Sequence, residues 1–159
     1  MRKITPWLWF QGDAEQAAEF YTSTFKNSRI GNVTRAPDGG PMPAGTVMTA
    51  EFEIDGQAFV ALNGGPEHNF TEGVSFYVDC ESQEEVDYLW DRLTSGGGEP
   101  GQCGWLKDRF GLSWQIVPRE FVEMMNDPDP QKSGRVVQAM LKMTKLDLPE
   151  LRSAYAGEK

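Results

Sequence analysis

The chain reads as an α+β protein built from two βαβββ modules and closed by a helical tail. Three observations predict this. The order strand, helix, strand, strand, strand occurs twice, near residues 4–63 and 73–117. In each repeat one helix-spaced apolar face lies between strand-like runs. Beyond Pro118 only helix-like segments follow. The expected division is therefore 1–118 for the paired modules and 119–159 for a helical extension, packed on the same domain or on a dimer partner.

The elements justify themselves in order. Ile4 to Phe10 is aromatic and branched and reads as a strand. Asp13 suits a helix N-cap, with Gln16 three residues on as a capping-box variant. Ala14, Ala17, Ala18, Tyr21 and Phe25 follow at helical spacing. Ser28 to Arg35 forms a second strand. Ala36-Pro-Asp-Gly-Gly-Pro-Met-Pro-Ala-Gly45 excludes regular structure and reads as a loop. Val47 to Ile54 and Gln57 to Asn63 flank Asp55-Gly56, a hairpin signal.

The second repeat opens with a strand over Val74 to Cys80. Ser82-Gln-Glu-Glu85 is a capping box in which Glu85 can reach back to the Ser82 amide. Val86, Leu89, Trp90 and Leu93 form one apolar helix face, and Gly96 to Gly98 ends the helix. Strands near Glu99 to Gln102, Gly104 to Lys107 and Leu112 to Val117 complete the repeat. Arg119 to Asn126, Gln131 to Lys142 and Leu148 to Tyr155 are helix-like. Met124 to Met143 reads as tail packing or a dimer contact.

Composition narrows the function. Fifteen Lys and Arg stand against 24 Asp and Glu, a net charge of −9. Such a surface repels phosphate backbones, which argues against nucleic acid as a partner. No apolar run reaches the ~18 residues that span a bilayer. Two cysteines, Cys80 and Cys103, with no signal-like segment before the first strand, point to reduced thiols and a cytoplasmic location. Both read as small packed groups.

Several segments together resemble the PhnB-like branch of the vicinal oxygen chelate superfamily, which includes glyoxalase and bleomycin-resistance proteins. They are Ile4-Thr-Pro-Trp-Leu-Trp-Phe10, Ala14-Glu-Gln-Ala-Ala-Glu-Phe-Tyr21, Ser75-Phe-Tyr-Val-Asp-Cys80, Gln83-Glu-Glu-Val-Asp-Tyr-Leu-Trp90, Cys103-Gly-Trp-Leu-Lys-Asp108 and Gly111-Leu-Ser-Trp-Gln-Ile-Val-Pro118. Proteins like this often carry the label 3-demethylubiquinone-9 3-methyltransferase. The resemblance implies a half-open curved mixed sheet, a bucket-like cavity and a homodimer. It also places four inward positions, metal ligands in some relatives, at Thr5, Asn63, Ser75 (or Gly73) and Gln115.

None of those four is a strong donor. Zinc and ferrous ions need imidazole, thiolate or carboxylate, so no metal cofactor is expected. A dioxygenase-type site needs two histidines and a carboxylate, and the chain has one histidine. Methyl transfer from S-adenosylmethionine usually uses a glycine-rich turn between strand and helix. Here the glycine run follows a helix instead.

Strand alternation puts Trp7 and Trp9 on the Thr5 face and turns Trp114 and Ile116 away from the Gln115 face. The expected cavity is thus aromatic, with Thr5, Trp7, Trp9, Asn63, Phe70, Ser75, Tyr77, Trp105 and Gln115 as candidate ligand-binding residues. His68, in the loop Glu67-His-Asn-Phe70, is a candidate acid or base. Three readings stand. One is a protein that binds a small, partly aromatic molecule without a metal. The second is an enzyme using His68, with Asn63 and Gln115 polarising a substrate oxygen. The last is a glyoxalase-type, metal-dependent lyase, isomerase or transferase.

Overall fold

A computed structural model describes residues 2–158. It forms two compact units that divide between Phe70 and Thr71. The first contains β1 (Trp7–Phe10), α1 (Ala14–Thr24), β2 (Arg29–Arg35), β3 (Val47–Ile54) and β4 (Gln57–Asn63). Its strands lie in the order β1-β4-β3-β2. The β1–β4 pair is parallel and the other pairs are antiparallel.

The second unit repeats the plan. It has β5 (Ser75–Cys80), α2 (Gln83–Thr94), β6 (Glu99–Pro100), β7 (Trp105–Lys107) and β8 (Ser113–Pro118), in the order β5-β8-β7-β6. Only β5–β8 is parallel there. Helices α3 (Arg119–Met125), α4 (Pro130–Met140) and α5 (Leu148–Ala156) follow. The fold is α+β, with two mixed four-stranded sheets, as the repeated element order predicts.

Local chemistry explains the turns. Asp55 and Gly56 have φ of 49° and 77°, the pair of positive values a two-residue hairpin with native twist requires. Register then builds the first core. Leu8 pairs with Ala61, Ala50 with Ala61, and Phe52 with Phe59, so these side chains share one face. Helix α1 lays Ala14, Ala17, Ala18 and Tyr21 on it, all fully buried. The Tyr21 and Phe52 rings stack at 5.9 Å.

Three expectations change here. Strand β1 begins at Trp7 rather than Ile4, because Pro6 before it has no N–H to donate to a ladder and contributes only its carbonyl, to Val60. Asp13 occupies the N-cap position of α1, but its side chain makes no capping bond. The Asn63 Oδ1 accepts instead from the amides of Gly12 at 3.0 Å and Ala14 at 2.9 Å. Ser82 does cap α2, accepting from the Glu85 amide. The reciprocal Glu85 carboxylate, however, accepts from the Glu81 amide rather than from that of Ser82.

In the second unit α2 buries Val86, Leu89, Trp90 and Leu93. The facing side of the sheet carries the buried Leu106, Trp114 and Ile116. Helices α3 to α5 form a further core around Val117, Phe121, Met124, Val136, Met143, Leu146, Leu148 and Leu151. Gln83 ties this tail to α2, donating to the Leu146 carbonyl and accepting from the Leu148 amide. Cys103 does not lie in a strand. Its φ of 60° puts it in the turn before β7.

Candidate ligand site on the second sheet

Strands β5, β8 and β7 pair with Ser75 opposite Ser113, Tyr77 and Trp105 both opposite Gln115, and Lys107 opposite Ser113. Side chains at paired positions share a face. Ser75, Tyr77, Trp105, Lys107, Ser113 and Gln115 therefore occupy the side of the sheet turned away from α2. Gln115 Nε2 donates to Ser75 Oγ at 2.9 Å, which fixes the amide across the sheet. Tyr77 stands 52% exposed.

At the β6–β7 edge of the sheet a cavity of about 480 Å³ is lined by residues that include Glu72, Glu99, Gln102, Trp105, Lys107 and Ser113. Lys107 Nζ lies 2.6 Å from Glu72 Oε1. Hydrogen bonding to Glu72 holds the Lys107 pKa up, with the charges of Glu72 and Glu99 adding. The same contact lowers the Glu72 pKa. Ser113 is 1% exposed, and its buried hydroxyl oxygen has no hydrogen-bond partner.

Of the residues expected in an aromatic cavity, only Trp105 lines this one. Ser75, Tyr77 and Gln115 share its sheet face without lining it. Lys107 and Ser113 were missed, although alternation from Trp105 and Gln115 reaches both.

The first unit places its candidates differently. Trp7 is 58% exposed and Thr5 is exposed. Trp9 donates from Nε1 to the Gly65 carbonyl at 2.9 Å, and its ring lies where a side chain at residue 64 would sit. The exposed His68 sets its ring perpendicular to Trp9 at 4.6 Å. Gln11 Nε2 holds the loop by donating to the His68 carbonyl and to Asn69 Oδ1.

Two expected ligand residues are not on the tryptophan face. Asn63 pairs with Phe10, whose side chain is on the α1 side, and its amide is spent on the α1 cap and the Val47 carbonyl. Phe70 packs edge-on against that same Phe10 at 5.4 Å. Phe10 and Trp9 point to opposite faces by strand parity, and Asn63 by pairing and Phe70 by ring contact go with Phe10.

Among the described residues, no three His, Cys, Asp or Glu side chains come together in a group able to hold an ion. Burial, then Glu85 and Asp79, pushes the Cys80 thiol up to about 12, so it is neither a ready nucleophile nor a ready thiolate ligand. No helix among the described residues is long and apolar enough to cross a membrane.

A family model described as 3-demethylubiquinone-9 3-methyltransferase matches residues 2–117. The chain belongs to this family. Its members include chains of the PhnB-like branch of the vicinal oxygen chelate superfamily, which the motifs resemble. A PhnB protein from Bacillus cereus that carries the same family description is 38% identical, with a TM-score of 0.67 over 74% of this chain and 99% of that one. A Pseudomonas aeruginosa protein is 22% identical, with a TM-score of 0.60 over 74% and 98% of the two chains. The fosfomycin resistance protein FosX from Listeria monocytogenes is 16% identical, with a TM-score of 0.52 over 74% and 93%. These last two likenesses show the fold alone. No curated protein matches. For this 3-demethylubiquinone-9 3-methyltransferase family member, both sheets fall inside the matched span except for Pro118, the last residue of β8, and helices α3 to α5 fall beyond it.

Proposed function

We propose that this family member binds a small, partly aromatic organic molecule on the second sheet without the help of a metal ion. The observation that carries the reading is the cavity walled by Trp105 and backed by the unpartnered Ser113 hydroxyl. About 480 Å³ is within the usual range for small-molecule sites, which combine apolar walls with a few polar groups. A buried hydroxyl without a partner costs about 1–3 kcal/mol, and a ligand that bonds to it offsets that cost.

The donor set supports the metal-free part of the reading. The sheets support binding over the methyl transfer in the family description, because each has one parallel pair rather than the doubly wound parallel series that usually holds a methyl donor. Pairing of two chains belongs to the same reading. Exposed apolar Trp7, Val74 and Tyr77 suit a contact with a second copy, and sedimentation at twice the chain mass checks it.

Benzyl alcohol titrated into the full chain, followed by calorimetry in every variant and by the Trp105 indole N–H signal where that residue is present, tests the site. Trp105→Ala is expected to weaken binding about tenfold through lost stacking, while Trp7→Ala leaves it unchanged. Equal affinity in wild type and Trp105→Ala contradicts the proposal.

A further inference from the structure

We infer that the cavity beside Trp105 selects a cationic arene: a molecule with an aromatic ring and an ammonium or amidinium group. This rests on the reading that the cavity holds a small aromatic molecule, and adds its charge. The charged residues lining the cavity are Glu72, Glu99 and Lys107, two carboxylates to one ammonium. The whole chain carries −9, so the long-range field also draws cations.

Lys107 is already engaged. It touches Glu72 at 2.6 Å and faces Glu99 across the β6–β7 pair. An incoming anion would meet both carboxylates to reach one occupied lysine. An incoming cation finds Glu99 and the Trp105 indole, with the buried Ser113 oxygen behind Lys107 able to accept an N–H. Indole rings attract ammonium and guanidinium-like groups electrostatically.

The Glu72–Lys107 pair supplies the entry. Its side chains are 67% and 42% exposed, and pairs that exposed are weakly held. Lys107 is also the strand partner of Ser113. When a ligand ammonium takes the place of Lys107 on Glu72, the lysine swings to solvent and the Ser113 hydroxyl becomes reachable.

The test is a charge series on one ring, again read at the Trp105 indole N–H of the full chain at pH 7: benzylamine, benzyl alcohol and benzoate. Benzylamine is expected to bind about tenfold tighter than benzyl alcohol, and benzoate more weakly than either. Glu99→Gln and Glu72→Gln should lower the ratio of benzylamine to benzyl alcohol affinity toward one, and Lys107→Met should raise it. If benzyl alcohol or benzoate binds as tightly as benzylamine, the charge assignment is overturned while the aromatic site survives. If no member of the series shifts Trp105, both the inference and the underlying reading fall.

Discussion

The indole of Trp114 donates from Nε1 to Asp108 Oδ2 at 2.9 Å inside the second unit, where Asp108 is 2% exposed. The other carboxylate oxygen of Asp108 accepts from the Phe110 and Leu112 amides. One buried acid thus closes the β7–β8 connection and turns Trp114 toward α2. Alternation then presents Ser113 and Gln115 on the opposite face, where the candidate site lies.

Removing that acid should loosen the whole hairpin. Asp108→Ala strands three donors, and chemical denaturation is expected to show a loss of about 3 kcal/mol or more. Asp108→Asn retains one acceptor oxygen and should lose less. A loss below about 1 kcal/mol for the alanine variant would separate Asp108 from the architecture of the site.

Asn63 carries a smaller structural duty. Asn63→Ala should cost about 0.5–2 kcal/mol, the usual range for a lost N-cap, measured by urea unfolding. Asn63→Asp keeps the oxygen that caps Gly12 and Ala14 and should recover part of it. Benzyl alcohol affinity should stay the same in both, because the residue faces the α1 side.

The two thiols should behave unlike each other. Cys80 is buried and Cys103 only partly so, so iodoacetamide at pH 8 should label one position per folded chain and two in denaturant, as mass spectrometry reads it. The pH dependence has a definite sign. The Cys80 pKa rises from 9.0 to about 12 in the folded chain, so folding retains a proton that the unfolded chain releases. Its contribution is full below about pH 9 and is lost as pH climbs toward 12. Cys80→Ala should flatten that decline in a denaturation series.

His68→Ala should leave benzyl alcohol binding at Trp105 unchanged and shift the Trp9 indole signal, since His68 packs on Trp9. A fall in affinity at Trp105 would return His68 to the binding machinery.

The parts of the fold legible in the sequence are those decided by neighbours. Asp55-Gly56 and Ser82 act within a few residues, and both do what their chemistry dictates. The α1 cap was illegible because the amide that replaces Asp13 comes from Asn63, distant in sequence and brought beside Phe10 only by the β1–β4 pairing. Asn63 and Phe70 were assigned to the cavity without their neighbours in the fold: strand pairing puts Asn63 beside Phe10, and an edge-on ring contact puts Phe70 there. Trp105 was among the residues expected in the cavity, and alternation from Gln115 reaches Ser113. Glu72 was not, because only the folded chain brings this residue before β5 against Lys107 on β7.

Metal independence is the claim on which the account turns. Protein purified without chelator should contain far less than one equivalent of zinc, nickel, manganese or iron by elemental analysis. Its benzyl alcohol affinity should be the same before and after dialysis against EDTA. A stoichiometric metal whose removal abolishes the Trp105 shift would contradict the account.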